Sequence, residues 1–290
     1  MAETPSKTPP RKTLFITGIS TGLGRALAEV ALEAGHRVVG TARSVEALAS
    51  FEALAPGRAF GKSLEMTDFA AIDRVVAEVE SDIGPIDVLV NNAGYGHEGI
   101  VEESPVDDLR RQFEVNVFGA VAMIKAVLPH MRVRRAGHIL NITSIGGLMT
   151  FPGVAYYHGS KFALEGISEA LGQEIRDFGI HVTAVEPGAF RTDWAGRSMM
   201  RQPRTIADYD AFFTPVRTAR AEEENGHQPG DPHGAGRAML RLIAAENPPA
   251  HLLLGSDALR FARDHYARRA REIDAWAEVT ASTDFAREHA

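Results

Sequence analysis

Short, nearly continuous apolar runs alternate along this chain with longer stretches whose apolar residues recur every three or four positions. The first kind predicts strands buried on both faces, and the second predicts amphipathic helices. On this reading residues 13–17 (TLFIT), 37–41 (RVVGT), 59–64, 86–90 (IDVLV), 138–142 (HILNI) and 180–186 (IHVTAVE) are strands. Residues 251–254 are a candidate seventh. Helices are expected over 22–34, closed by Gly35, over 69–83, closed by Gly84-Pro85, over 106–131 as one helix or two, and over 155–178. Strand and helix in regular alternation predict right-handed βαβ units. The expected fold is therefore α/β, a single doubly wound parallel sheet of about seven strands with helices on both faces.

Three regions break the rhythm. Residues 1–12 (MAETPSKTPPRK) are rich in Pro, Thr and Lys and are expected to form a flexible tail. Residues 189–231 mix charges with Pro203, Pro215 and Pro229 and read as a long substrate loop or lid with short helices. Residues 257–279 form a charged helix with a narrow apolar stripe (Leu259, Phe261, Tyr266, Ile273, Trp276), expected to lie on the surface of the same domain. Length alone suggests about two domains at ~150 residues each, but an open sheet can fill 290 residues as one. A single domain over 13–290 is the expectation.

Composition narrows the chemistry. Hydrophobic residues make up 44% and charged residues 24%, so the chain can bury a core. A net charge of −7 argues against nucleic acid as the main ligand, since phosphate contacts need a basic face. The absence of cysteine rules out disulfides, thiol nucleophiles and zinc–thiolate sites. The N-terminus has no apolar stretch of the signal-peptide kind, and no window approaches ~18 consecutive apolar residues. A soluble, cytoplasmic protein without a membrane span is expected. No His-x-x-x-His or paired-acid pattern points to a metal.

Thr17-Gly18-Ile19-Ser20-Thr21-Gly22-Leu23-Gly24 follows the first strand and opens the first helix. Glycines there admit a diphosphate close to the backbone, and the helix start offers free N–H groups to the anion. The string alone is weak; its position in a βαβ unit points to a dinucleotide. After the second strand, Thr41-Ala42-Arg43-Ser44 offers no acid for a ribose 2′-hydroxyl, while Arg43 suits a 2′-phosphate, with Ser20 or Ser44 assisting. NADP(H) is expected over NAD(H).

Tyr157 and Lys161 stand four apart at the start of a helical stretch, on one helix face. Lowering a phenol pKa from ~10 by about three units needs roughly 4 kcal/mol, the scale of one cation ~4 Å away at an effective dielectric of ~20. Lys161 is expected to supply most of that shift. Tyr156 has Ser160 at the same spacing. Ser144, just past the fifth strand, falls on the rim where such sheets bind ligands, and its neighbour Thr143 is the rival. His97 and His158 are expected to face solvent.

These residues resemble the short-chain dehydrogenase/reductases of the NAD(P)-dependent, Tyr-x-x-x-Lys type. The resemblance runs from about Thr13 to Thr192 through TGxxxGxG at 17–24, NNAG at 91–94, Asn116, Ser144, Tyr157, Lys161 and Pro187-Gly188 with Thr192. It implies a Rossmann-type domain with Tyr157 as acid–base residue. Lys161 then binds the nicotinamide ribose, Ser144 orients the carbonyl and Asn116 holds a relay water. Asn91, Ala93 and Gly94 line the cofactor near the adenosine ribose, and Pro187, Gly188, Phe190 and Thr192 embrace the nicotinamide end. Where the family often has Asp-Val after the third strand, this chain has Glu65-Met66, with Glu65 toward adenine. The implied cofactor set is completed by Gly18, Ser20, Thr21, Gly22, Leu23, Gly24 and Arg43. The late segment is similar to a hydroxysteroid-dehydrogenase-like branch.

The implied reaction is reversible hydride transfer between nicotinamide and a carbonyl or secondary alcohol. The rim residues Leu148, Met149, Phe151, Trp194, Met199, Met200, Phe212 and Phe213 suit an apolar substrate, or simply close the lid onto the core. A catalytically silent dinucleotide-sensing protein and a nucleotide-sugar epimerase are the rival readings. The family's habit implies a homodimer or homotetramer.

Overall fold

In the computed structural model, which describes residues 11–194, 196–224 and 226–285, seven strands form one parallel sheet. In chain order the elements are β1 (Thr13–Ile16), α1 (Gly22–Glu33), β2 (Arg37–Ala42), α2 (Val45–Glu52), β3 (Ala59–Ser63), α3 (Phe69–Glu78) and β4 (Val88–Asn91). They continue with β5 (Gly96–Glu98), α4 (Val106–Phe113), α5 (Ala120–Arg134), β6 (Gly137–Ile142), α6 (Ala155–Glu174), β7 (Ile180–Pro187) and β8 (Met199–Arg201). The last are α7 (Asp210–Glu224), α8 (Pro232–Ala244), β9 (His251–Leu254), α9 (Ser256–Ala275) and α10 (Ala277–Ala281). The sheet order is β3-β2-β1-β4-β6-β7-β9. Strand order therefore reverses between β1 and β4, where ligands of such sheets bind. Of the expected tail, all but the last two residues lie outside the described residues.

Period two along each strand divides the core into two layers. Leu14 and Ile16 of β1, Val88 and Val90 of β4, and Leu140 and Ile142 of β6 face one layer with Leu27 and Ala31 of α1 and Met239 and Ile243 of α8. Phe15, Leu89 and Ile139 face the other with Ile72 and Val76 of α3, Met123 and Val127 of α5 and Leu171 of α6.

Several expectations need correction. The 106–131 stretch runs to Arg134 as one helical path through a π-helical segment, Glu114–Gly119. The path Val106–Arg134 is long and apolar enough to cross a membrane by length and composition alone. Its apolar residues Met123, Ile124, Val127 and Met131 are buried against the sheet, which accounts for that composition.

Two helices were not expected. α2 is capped by Ser44, whose Oγ accepts from Ala47 N at 3.2 Å. α8 starts at Asp231, whose carboxylate accepts from His233 N and Gly234 N, with Pro232 in the first turn. Within 189–231 the chain forms the helix α7 and, beyond the expected helices, the strand β8, which pairs in parallel with β5. On the late helix only Ala258 and Ala262 are buried, while Tyr266, Ile273 and Trp276 are exposed.

Candidate active site

The turn after β1 is built from close contacts that only glycine permits. Gly18 and Gly22 hold φ of +72° and +68°, the left-handed region. A Cβ on Gly24 would stand 2.3 Å from Asn92 Nδ2 and 2.5 Å from Gly18 O. Asn92 is the clasp of this loop, because its Nδ2 donates to the carbonyls of Thr17 and Gly18 at 2.9 Å each. Thr17 Oγ1 accepts from the N–H groups of Asn92 and Ala93 at 3.0 Å, and Gly18 N donates to Thr41 Oγ1 at 3.2 Å.

Helix α1 has no side-chain cap at Thr21 and no acid in its first turn. Its leading N–H groups and positive dipole end are thus free for an anion. Leu23 packs on the core behind the turn. A cavity of about 330 Å³ opens here between Ser20, Thr21 and Gly22 on one side and Arg191 and Thr192 on the other. This cradle fits a diphosphate.

At the end of β2 the Arg43 side chain is four-fifths exposed, and its Nη1 lies 3.6 Å from Glu65 Oε2. An exposed guanidinium held by one weak ion pair is available to a phosphate. Ser44 is engaged as the α2 cap and donates to Glu46, while Ser20 is exposed beside the phosphate loop. Met66 is buried and packs on Gly119.

At the carboxyl end of β6, Ser144 begins a tight turn and Tyr157 and Lys161 rise from α6 beside it. All three are buried. Ser144 Oγ accepts from Gly146 N at 2.9 Å and reaches the Tyr157 phenol. Thr143 hydrogen-bonds Val185 O at 2.8 Å, so between the two rivals Ser144 is the one facing the phenol. Lys161 Nζ donates to Ile142 O at 2.7 Å and stands 5.7 Å from the Tyr157 ring centroid.

Burial pushes Tyr157 up to about 12, with the Ser144 hydroxyl opposing it. The shift runs upward rather than along the lowering expected from Lys161, because desolvation of the buried ring dominates. Burial also brings Lys161 down to about 8, with Glu165 acting the other way.

Two expected site residues serve the scaffold with their side chains. Asn91 Nδ2 donates to Asn141 Oδ1 at 2.9 Å and to Ala120 O, away from the loop. Asn116 sits in the π-helical turn, where its Nδ2 donates to Tyr95 O and Ser160 Oγ and its Oδ1 accepts from Tyr95 N. Its amide thus has protein partners for both hydrogens. Gly94 passes under it, with room for no Cβ beyond 3.0 Å from Asn116 Oδ1.

On the side expected to take nicotinamide, a Cβ on Gly188 would meet the Asp257 carboxylate at 2.4 Å. Phe190 bridges to Gly230, and Thr192 stands 3.8 Å from a Cβ placed on Gly22, closing the loop from above.

His97 and His158 are buried, against expectation. His97 lies 3.6 Å from Asp108 and against the Tyr156 ring, and Tyr156 Oη donates to Ser104 O. His158 Nδ1 donates to Gly146 O and its Nε2 accepts from Phe151 N, both at 2.7 Å, so it braces the loop that carries Ser144. Sequence reasoning missed it because its partners are backbone groups.

Of the rim residues, Leu148, Met149 and Phe151 pack on Ile145, Ala258 and Ala262, and Phe213 is fully buried. Trp194 lies against the Tyr157 ring with centroids 5.1 Å apart. Arg217 and Arg220 of α7 reach the buried carboxylate of Glu98 at 3.1 Å, clamping the lid. A larger groove of about 890 Å³, lined by Ile100, Phe151, Phe162, Tyr209 and Phe212, meets α6 through Ala155, His158, Gly159 and Phe162 rather than Tyr157.

Among the described residues, Glu165, Glu186 and His251 bring metal-capable atoms within 4.8 Å of one another. They come from α6, β7 and β9, a grouping no spacing rule reveals. His251 Nδ1 lies 2.8 Å from Glu186 Oε1 and 3.5 Å from Glu165 Oε2, so the three already partner one another.

Comparison with known proteins agrees with this fold. The profile of the family described as short chain dehydrogenase matches residues 12–202. A 3-ketodihydrosphingosine reductase of Bacteroides thetaiotaomicron is 37% identical over 83% of this chain and 87% of its own. An NADPH-dependent 3-dehydrocapnine reductase of Ornithobacterium rhinotracheale is 32% identical over 89% and 93%. The crystal structure of a short-chain dehydrogenase from Streptomyces avermitilis superposes with a TM-score of 0.88, at 40% identity over 95% of this chain and 99% of that one.

Proposed function

The chain belongs to the short-chain dehydrogenase family, and from that premise we propose that it is an NADP(H)-dependent oxidoreductase reducing the carbonyl of an apolar substrate. The observation that carries the reading is the convergence of Ser144, Tyr157 and Lys161 at the strand end beside the uncapped start of α1. When bound, the reduced nicotinamide supplies the hydride. Tyr157 donates its phenolic proton to the carbonyl oxygen as that oxygen gains charge. Ser144 Oγ–H steadies the same oxygen, and the Lys161 ammonium favours the resulting phenolate. With its pKa raised by burial, the phenol carries its proton at neutral pH, as the donor role in reduction requires.

Arg43 supports the preference for NADP(H), since it is the exposed cation at the end of β2. The two reductases described above are named for 3-keto and 3-dehydro substrates, which supports a carbonyl substrate of the lipid-like class. An NADPH-consumption screen across ketones, aldehydes and sugar nucleotides tests the reading. Ketone-dependent consumption that falls at least about 10²-fold in Tyr157→Phe, with NADPH still bound, is the expected result. Consumption that persists in the variant sinks the role of the phenol.

A further inference from the structure

Tyr157 is covered by a residue of the lid. The Trp194 indole packs on the Tyr157 ring, centroids 5.1 Å apart and planes inclined at 57°. A layer of substrate atoms between two rings needs two contacts of ~3.5–4.0 Å, or about 7–8 Å in all. The observed spacing leaves no such layer.

The indole also lies against Gly96. A Cβ on Gly96 would stand 2.8 Å from Trp194 Cζ2 and equally close to Met199 Sδ and Cε. Glycine at that position is what admits the indole. The Gly96–Met199 pairing of the β5–β8 ladder, with Gly96 N donating to Ser198 O at 2.8 Å, holds the following segment in register. Arg197 Nη2 donates to Thr21 Oγ1 at 2.8 Å, and Trp194 N donates to Thr192 Oγ1. The indole is therefore seated among Tyr157, Gly96 and Met199.

We infer that Trp194 is the specificity-determining roof of the substrate site, admitting straight-chain ketones and holding off fused-ring ketones. The inference rests on the carbonyl-reduction reading and narrows it. A ketone on a slim chain approaches the Tyr157 hydroxyl past the edge of the indole. A bicyclic skeleton carries width on both sides of the carbonyl and meets the ring. Trp194 packs on the Tyr157 ring and limits what reaches its hydroxyl.

The test compares kcat/KM for 2-octanone and 2-decalone with NADPH in wild type, Trp194→Phe and Trp194→Ala. The decalone-to-octanone ratio should rise at least about 10-fold in Trp194→Ala, the scale of steric discrimination in apolar pockets, with Trp194→Phe between. Circular-dichroism melting identifies variants that fold as wild type. A ratio that moves less than about twofold in a folded Trp194→Ala overturns the inference.

A second readout needs no turnover. The chain has two tryptophans, and Trp276 is exposed, so Trp276→Phe leaves Trp194 as the sole emitter. Its emission should resist acrylamide, and adding Gly96→Ala should raise the quenching constant at least about twofold by dislodging the indole. If wild type reduces neither ketone, the carbonyl-reduction reading fails with these probes and the inference falls with it. Shielding of Trp194 then still reports whether the roof itself is placed as described. Unshielded emission in the parent variant overturns the inference by itself.

Discussion

Replacing Gly24 with alanine adds one methyl at the tightest point of the phosphate loop. That carbon would stand 2.3 Å from Asn92 Nδ2 and 2.5 Å from Gly18 O. The backbone carbonyl cannot swing aside cheaply, so the Asn92 amide must leave. It then loses its two bonds to Thr17 O and Gly18 O, worth about 1 kcal/mol net each. Overpacking against Gly18 O adds roughly 1–3 kcal/mol. The variant should therefore be about 3–5 kcal/mol less stable in urea unfolding. Because the same turn opens α1, NADPH titration should show binding at least about tenfold weaker, the equivalent of ~1.4 kcal/mol.

Gly24→Ala combined with Asn92→Ala separates the causes. If the clash is with the amide, the double variant should cost at least about 1 kcal/mol less than the two singles together, as for residues in contact. A single variant with wild-type midpoint and affinity, or strictly additive costs, would refute the argument.

Arg43→Ala should weaken NADPH binding about 10–100-fold, the range of a charge-assisted hydrogen bond of ~1.5–3 kcal/mol, while NADH affinity stays within about twofold. Equal losses for both cofactors, read by fluorescence titration, would remove the phosphate role. Lys161 releases its proton near 8 when folded and near 10.5 when unfolded. Between those values the unfolded chain binds more protons, so stability should rise with pH by something on the order of 3 kcal/mol. Urea unfolding at pH 7.5 and 10 should show that rise in wild type but not in Lys161→Met; matching slopes would discard the buried-ammonium account. His158→Ala strips partners from a buried carbonyl at Gly146 and a buried N–H at Phe151, and should lower stability by about 2–5 kcal/mol in the same assay. A change under about 0.5 kcal/mol would mean that solvent replaces the imidazole.

What was readable in the sequence follows from range. The phosphate turn and the Tyr157–Lys161 pair are local patterns, so spacing alone places them on one loop and one helix face. The sheet was legible because apolar runs of strand length leave few alternatives. Asn91 and Asn92 show where that stops. Successive residues at a strand end point to opposite faces, so the motif identified the amides but not which of them turns toward the phosphate loop. The Asp231-Pro232 start of α8 was a local signal that the mixed charges around it obscured. β5 and β8 are three residues each and about a hundred positions apart, too short for periodicity to register. Burial of His97 and His158 depends on partners brought from elsewhere in the chain, as does the contact between Trp194 and Tyr157.

The strip from Asn92 to Gly96 ties two parts of the site together. At one end it clasps the phosphate turn, and at the other it is zipped to β8. From Asn92 to Gly96 there are only four residue steps, at most about 14 Å fully stretched. A tug at either end is therefore delivered to the other. Breeding this protein toward wider substrate tolerance by loosening its cover should, for that reason, cost it grip on the coenzyme as well, and the two traits will be hard to select apart.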